Sequence, residues 1–345
     1  MKAGVVAIDI GYSNTKLAHG DALVPEVKII PSGVCAADSV GDRVIGGGKG
    51  QNNQNLVVTV GGNQFAVGIE QTQIKQKRQR NPNYPFTEQY LALYYGGLSL
   101  TRASEVDTLV TGLPVEQYQD ASAVTRLAAR LRGEHEVASG QVITVRDVYV
   151  TAQPVGAFVD MHFQGAQNNY REIMSRGRVL VLDPGFHTVD WAFFDQGSLL
   201  KSVSGSNTAA MSSVMELVSV CIEHDLGDKV TIERIEQAMR SDSYSILFHG
   251  EELNISGYIE TALDAVNTDA ITDLLNAKNL DREQIDLVVL AGGGANYYRR
   301  AAEKVFPGSR IEISSSPVAA NVRGYWYMER ARCVAANSVA ANQAR

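Results

Sequence analysis

Val5–Ala18, VVAIDIGYSNTKLA, and Val179–Ala192, VLVLDPGFHTVDWA, follow one pattern: an apolar run, Asp, one residue, Gly, an aromatic, two polar residues, and a return to strand-like sequence. Asp9 and Asp183 stand 174 positions apart in a chain of 345 residues, about half its length. A repeat at that spacing predicts two domains that each open on the same hairpin. The length alone already exceeds what one small core needs.

Around the repeat, strand and helix patterns alternate. Strands are expected at 3–10 and 15–18, in short runs between 24 and 73 such as LVVTV and QFAVGI, at VDTLVTGL before Pro114, and from ITVRDVYV to Ala152. Helices are expected in TEQYLALYYGGLSL behind a Thr87 cap, in DASAVTRLAARLRGE, after Pro154, at about 207–224, 231–240 and 257–277, and from near Pro317. GDRVIGGGKGQNNQN (41–55) reads as a loop, IKQKRQRNPNYPF (Ile74–Phe86) as a solvated basic loop more than a basic patch for a partner, and the stretch between DMHF and RVLVL (164–177) as a polar loop. The GGGKG within 46–50 is a decoy for a phosphate loop, because no Ser or Thr follows Lys49 and no strand leads into it. This alternation predicts an α/β protein whose hairpins add antiparallel strands to mixed sheets. The boundaries expected are a first domain at 1–152, with a small insertion at about 24–90, a second at 153–332, and a flexible tail at 333–345.

Composition narrows the class. With 45% hydrophobic and 20% charged residues and no apolar run near the about 18–20 residues of a membrane span, a soluble cytoplasmic protein without membrane contact is expected. The start, MKAGVVAIDIG, enters a strand pattern and shows no signal-peptide cleavage site. Cys35, Cys221 and Cys333 are scattered, without metal-ligand spacing, and fit free thiols. A net charge of −7 argues against strong direct binding to nucleic acid.

The repeated turn carries its own chemistry. A tight turn of Gly and small polar residues points backbone N–H groups one way and suits an anion, above all phosphate. A strand-end carboxylate beside it repels phosphate, so a cation has to lie between them, and Mg²⁺ binds through one or two carboxylates plus phosphate oxygens. Asp9 and Asp183 are therefore the expected metal-side carboxylates. Ser13, Asn14 and Thr188 offer side-chain donors and Lys16 a positive charge. Two such turns across a cleft would clamp the phosphates of one nucleotide.

Five segments in order, IDIGYSNTKL, VYVTAQPVGAF, VLVLDPGFHTVD, VVLAGGGANYY and SPVAANVRGYWY, resemble the phosphate, connecting-helix and nucleoside motifs of the actin, Hsp70 and sugar-kinase superfamily. VDTLVTGLPVEQYQD adds a resemblance to its ParM/StbA-type bacterial actin-like ATPases. The resemblance implies an actin-like fold: two duplicated ribonuclease-H-like domains with a nucleotide cleft between them. It implies ATP or GTP with Mg²⁺, catalysis by Gln153, Asp183 and Asp9, and a C-terminal helix at about 317–330 packing back on the first domain. By position, Asp9, Gly11, Tyr12, Ser13, Asn14 and Lys16 match the first phosphate loop. Asp183, Gly185, Thr188 and Asp190 match the second, whose Phe186 and His187 are also expected to line the cofactor, and Gly292, Gly293, Gly294 and Ala295 match the nucleoside turn, with Glu216 a further nucleoside contact. Gln153 falls where the family places the residue that positions the attacking water.

The second loop departs from the family: Pro184 removes an N–H, and Phe186 and His187 replace small groups. Asp190 is read as orienting its loop. A glutamine positions water but is no strong base, so slow turnover suited to a switch is expected. The function expected is a nucleotide-dependent, filament-forming ATPase that partners itself and segregates plasmid or other DNA through a DNA-bound adaptor. The alternatives are a small-molecule kinase on the same fold and a non-hydrolysing scaffold.

Overall fold

The computed structural model describes residues 1–40, 56–74, 81–164, 170–278 and 284–343. The loop expected at 41–55 and the basic residues of 75–80 lie outside them. The chain divides into two compact units, one of Met1–Leu113, Asp120–Ala152 and Val322–Arg345, the other of Pro114–Gln119 and Gln153–Asn321.

The first unit opens with β1 (Lys2–Ile10), β2 (Asn14–His19) and β3 (Glu26–Pro31). Then come β4 (Gly33–Ala36), β5 (Leu56–Val60) and β6 (Asn63–Ile69), which form a small sheet of their own. Helix α1 (Glu88–Leu100) starts at Thr87, whose hydroxyl accepts from the Tyr90 N–H at 3.2 Å, as its cap position predicts. After β7 (Glu105–Leu113) the chain makes the short α2 (Val115–Tyr118), which belongs to the second unit, and returns for α3 (Ala121–Leu131), β8 (Gly133–Ala138) and β9 (Gln141–Ala152). The main sheet runs β3-β2-β1-β7-β9-β8. In it β1 is antiparallel to β2 and parallel to β7, which is parallel to β9. A central parallel strand is covered on both faces, and β1 is accordingly buried without a break from Val5 to Ile10.

The second unit takes up α4 (Gln153–Gln164), α5 (Tyr170–Arg176), β10 (Arg178–Pro184), β11 (Val189–Asp195), β12 (Ser198–Leu199) and β13 (Gly205–Asn207). Helices α6 (Met211–Leu226) and α7 (Ile232–Arg240), the hairpin β14 (Ser245–Phe248) and β15 (Glu251–Asn254), and α8 (Ser256–Lys278) follow. The unit's remaining elements are β16 (Leu287–Leu290), α9 (Ala295–Val305) and β17 (Arg310–Ile313); α10 (Ala320–Gln343) then begins in it and continues into the first unit. The sheet order is β12-β11-β10-β16-β17, with β10 antiparallel to β11 and parallel to β16, which is parallel to β17. Strand for strand this repeats β2-β1-β7-β9 in order and sense, so the duplication read from two short sequences is a duplication of whole sheets.

Several elements carry no strong local pattern and were not expected: β8, α5, the β14–β15 hairpin and β17. The helix expected from 207 starts at Met211, because Asn207 pairs in β13 and its Oδ1 accepts from the Ala209 N–H at 2.9 Å. The backbone of α10 is helical through Gln343, in keeping with the alanine-rich sequence beyond 333.

Candidate functional site

In the first turn the Gly11 N–H closes on the Asn14 carbonyl at 3.1 Å, leaving Asp9 at the carboxyl end of the central strand. Ligands of open α/β sheets gather at such carboxyl ends. Asp9 and Lys16 are cross-strand partners, and the Lys16 ammonium lies 2.9 Å from Asp9 Oδ2, with the carboxylate only 1% exposed. The charge expected of Lys16 is thus delivered to Asp9. Tyr12 turns its side chain away onto Tyr84, ring centroids 4.3 Å apart, while its hydroxyl donates to the Asn81 carbonyl at 3.0 Å. That leaves the backbone of Tyr12 as its means of contacting an anion. The Ser13 carbonyl accepts from the Ser32 N–H at 3.0 Å. Asn14 Oδ1 is buried without a hydrogen-bond partner among the described residues.

The second turn closes the same way, Gly185 N–H to the Thr188 carbonyl at 2.8 Å. Its Gly185 and Phe186 carbonyls accept from the Met211 and Ser212 N–H groups at 3.3 and 2.8 Å, so the amino end of α6 is fastened to the loop. Phe186 packs on the apolar core of the unit and edge-on against His187, 4.6 Å between centroids. Thr188 donates its hydroxyl proton to Asp190 Oδ2 at 2.8 Å. Asp190 Oδ1 accepts from the Val115 N–H at 3.0 Å and from the Ser206 hydroxyl. Asp190 therefore ties β11, β13 and α2 together. Pro184 gives up an N–H, but its carbonyl accepts from Gly294 N–H at 2.9 Å.

That bond joins the second turn to the glycine segment. The Ala291 N–H donates to the Leu182 carbonyl at 2.9 Å, and Gly292 N–H to the Pro317 carbonyl at 2.8 Å. Gly292 has φ +76°, and a Cβ on it would lie 2.0 Å from Asp183 Oδ1. A Cβ on Gly294 would lie 2.9 Å from the Pro184 carbonyl. These two glycines are demanded by the close approach to Asp183 and Pro184. Gly293 is exposed, with nothing within 4 Å of its Cβ position. Ala295 is buried at the start of α9. Further along α9, the Tyr298 hydroxyl donates to the Ala209 carbonyl at 2.8 Å and that of Tyr297 to the Met239 carbonyl at 3.3 Å. Burial pushes both phenols above the ordinary tyrosine range, which keeps them protonated donors.

Asp183 is 7% exposed, and its Oδ2 accepts from the Asn321 amide at 2.6 Å. Gln153 is the first residue of α4, directly beyond β9 at the carboxyl edge of the first sheet. Glu216 is an exposed residue of α6. The first unit thus gathers Asp9, Gly11, Tyr12, Ser13, Asn14 and Lys16, and the second gathers Asp183, Gly185–Thr188 and Gly292–Ala295. Asn321 and the Val115 N–H were missed, because neither has a local pattern that points to its partner.

A magnesium nucleotide fits these residues. No cluster of three or more His, Cys, Asp or Glu able to hold a metal occurs among the described residues. Asp183, held by the Asn321 amide and packed against Gly292, is the carboxylate of the second turn that would face such an ion.

Two family models match the chain in succession: the N-terminal domain of actin-like proteins over residues 7–156, and the C-terminal domain of the archaeal, MreB-like actin homologue over 181–303. Between them they hold both turns, Gln153 and the glycine segment. This is an actin-like protein. Among solved structures it is similar to a non-polymerisable quadruple mutant of pCBH ParM, at 18% identity and TM-score 0.74, over 96% of this chain and 99% of that one. It is also similar to the archaeal actin homologue Ta0583 in complex with ADP, at 17% identity and TM-score 0.71, over 95% and 99%. A third is the 15-stranded ParM filament from Clostridium botulinum, at 17% identity and TM-score 0.73, over 96% and 99%. No curated protein matches the sequence significantly. The actin-like assignment accounts for the repeated sheet with its Asp-x-Gly turn in each half. No helix among the described residues is long and apolar enough to cross a membrane.

Proposed function

We propose that this actin-like chain binds one nucleoside triphosphate with Mg²⁺, assembles into filaments in that state, hydrolyses the nucleotide slowly, and segregates DNA through a DNA-bound adaptor. The reading is carried by one observation: both sheets end their central strand in an Asp-x-Gly turn closed by the same Gly N–H bond, at 3.1 and 2.8 Å. The Ta0583 complex with ADP and the ParM filament support nucleotide binding and assembly by this fold.

In this reading the turns hold the phosphates through backbone N–H groups, and Asp183 and Asp9 stand on the metal side, Asp9 with its charge moderated by Lys16. Bound Mg²⁺ would neutralise phosphate charge as it develops. Gln153 orients the attacking water and takes no proton for itself. Gly293 lets the nucleoside approach the backbone, and Glu216 reaches it from α6. The acidic net charge of −7 supports contact with DNA through a basic adaptor.

Sedimentation and phosphate release with ATP, GTP and a non-hydrolysable analogue test this on the natural chain and on Gln153→Ala. The expected result is nucleotide-driven pelleting by both proteins, with phosphate release from Gln153→Ala lowered at least about tenfold. Pelleting that ignores nucleotide, or none with either triphosphate, would overturn the filament reading.

A further inference from the structure

We infer that Asn321 is a positioning residue for Asp183, setting the direction in which that carboxylate meets Mg²⁺; this rests on the nucleotide reading above. Asn321 is buried in the first turn of α10. Its Nδ2 donates to Asp183 Oδ2 at 2.6 Å, while its Oδ1 accepts from the Ala157 N–H at 3.2 Å. One amide thus spans the carboxylate at the end of β10 and the amino-terminal part of α4, the helix that Gln153 opens.

The other carboxylate oxygen is fixed from the opposite side. Asp183 Oδ1 occupies the space a Cβ of Gly292 would need, 2.0 Å from that position. Turning the carboxylate would break the Asn321 bond and move Oδ1 out of the space that the absent Cβ of Gly292 leaves for it. Mg²⁺ demands near-ideal octahedral geometry, so the angle at which a protein oxygen is offered matters more than for a larger ion. Removing a group that orients a metal ligand typically costs about 10–100-fold in metal affinity.

A neutral amide suits the post. It directs Asp183 without cancelling the negative charge a cation needs, whereas the ammonium of Lys16 on Asp9 does both. Asn321 is also the last residue of its unit, since Val322 onward groups with the other. The same side chain therefore stands where the metal-side carboxylate, α4 and the helix leading out of the unit meet.

Binding of N-methylanthraniloyl-ADP, followed by fluorescence in EDTA and across a Mg²⁺ titration, tests the inference on the natural chain, Asn321→Ala and the near-isosteric Asn321→Asp. Thermal melting of each shows which variants fold, and the Asp variant keeps the shape if the Ala variant does not. The expected result is equal affinity in EDTA for all three, with the Mg²⁺ midpoint of the variants raised about 10–100-fold. Bound Mn²⁺ should give a broadened, altered electron-spin resonance spectrum in the variants. Midpoints within twofold of the natural chain would overturn the role of Asn321 and leave the nucleotide reading standing. A natural chain that binds the probe equally with and without Mg²⁺ would overturn the metal assignment, and one that binds none would overturn the nucleotide reading itself.

Discussion

Asp183 and Gly292 form the tightest fit in the site, and the glycines make it testable one at a time. In Gly292→Ala a Cβ meets Asp183 Oδ1 at a positive φ, so we expect nucleotide affinity to fall at least about tenfold and the melting temperature to drop by several degrees. Gly293→Ala meets nothing within 4 Å and should melt like the natural chain, so any loss of nucleotide binding reports the ligand itself. Calorimetry and differential scanning of the two variants side by side check both statements. These contacts also mark where reading from sequence alone ran out. The Asp-x-Gly turns were legible because strand, carboxylate and glycine are adjacent in the chain. The partners of Asp183 and Asp190 were not: Asn321 and Val115 lie 138 and 75 positions away, and nothing in their neighbouring residues announces the pairing. Tyr12 was read as part of the nucleotide loop, yet its ring had a stacking partner at Tyr84 that only the fold brings near.

At the scale of elements, β8 and α1 meet through His135. Its Nε2 lies 2.9 Å from the Leu131 carbonyl, and its ring stands 5.4 Å from the rings of Tyr94 and Tyr95. Burial holds its pKa below the ordinary 6.5, so the folded chain binds fewer protons there than the unfolded one. Stability from this group is full above about pH 6.5 and falls as the pH drops through that value, because only the unfolded state gains the proton. Urea unfolding between pH 7.5 and 5.5 should show that slope, and His135→Gln should lessen it, the rest coming from His19 and His162, which burial also holds below 6.5. The amino end of α1 offers a second check. Removing the Thr87 hydroxyl in Thr87→Ala strips a cap from Tyr90 N–H and should cost about 1 kcal/mol, read as a shift in urea midpoint at constant slope. Both effects belong to elements far in sequence from the turns, and neither should alter nucleotide specificity. Elements with strong local signals, such as the Thr87-capped helix and the buried strands at Val5 and Val179, were readable in advance. The short β14–β15 hairpin and β17 were not, since four-residue strands owe their pairing to neighbours more than to composition.

At the scale of the molecule, the repeat of β2-β1-β7-β9 as β11-β10-β16-β17 gives each unit the same strand-end apparatus. If the two turns serve one nucleotide, the chain has one site although it carries two copies of the motif. Calorimetric titration of Mg²⁺–ADP into the natural chain, Asp9→Asn and Asp183→Asn measures this directly. The account predicts one nucleotide per chain, with each substitution alone weakening that single binding event. Two nucleotides per chain, or a substitution in one turn that leaves binding intact, would contradict it.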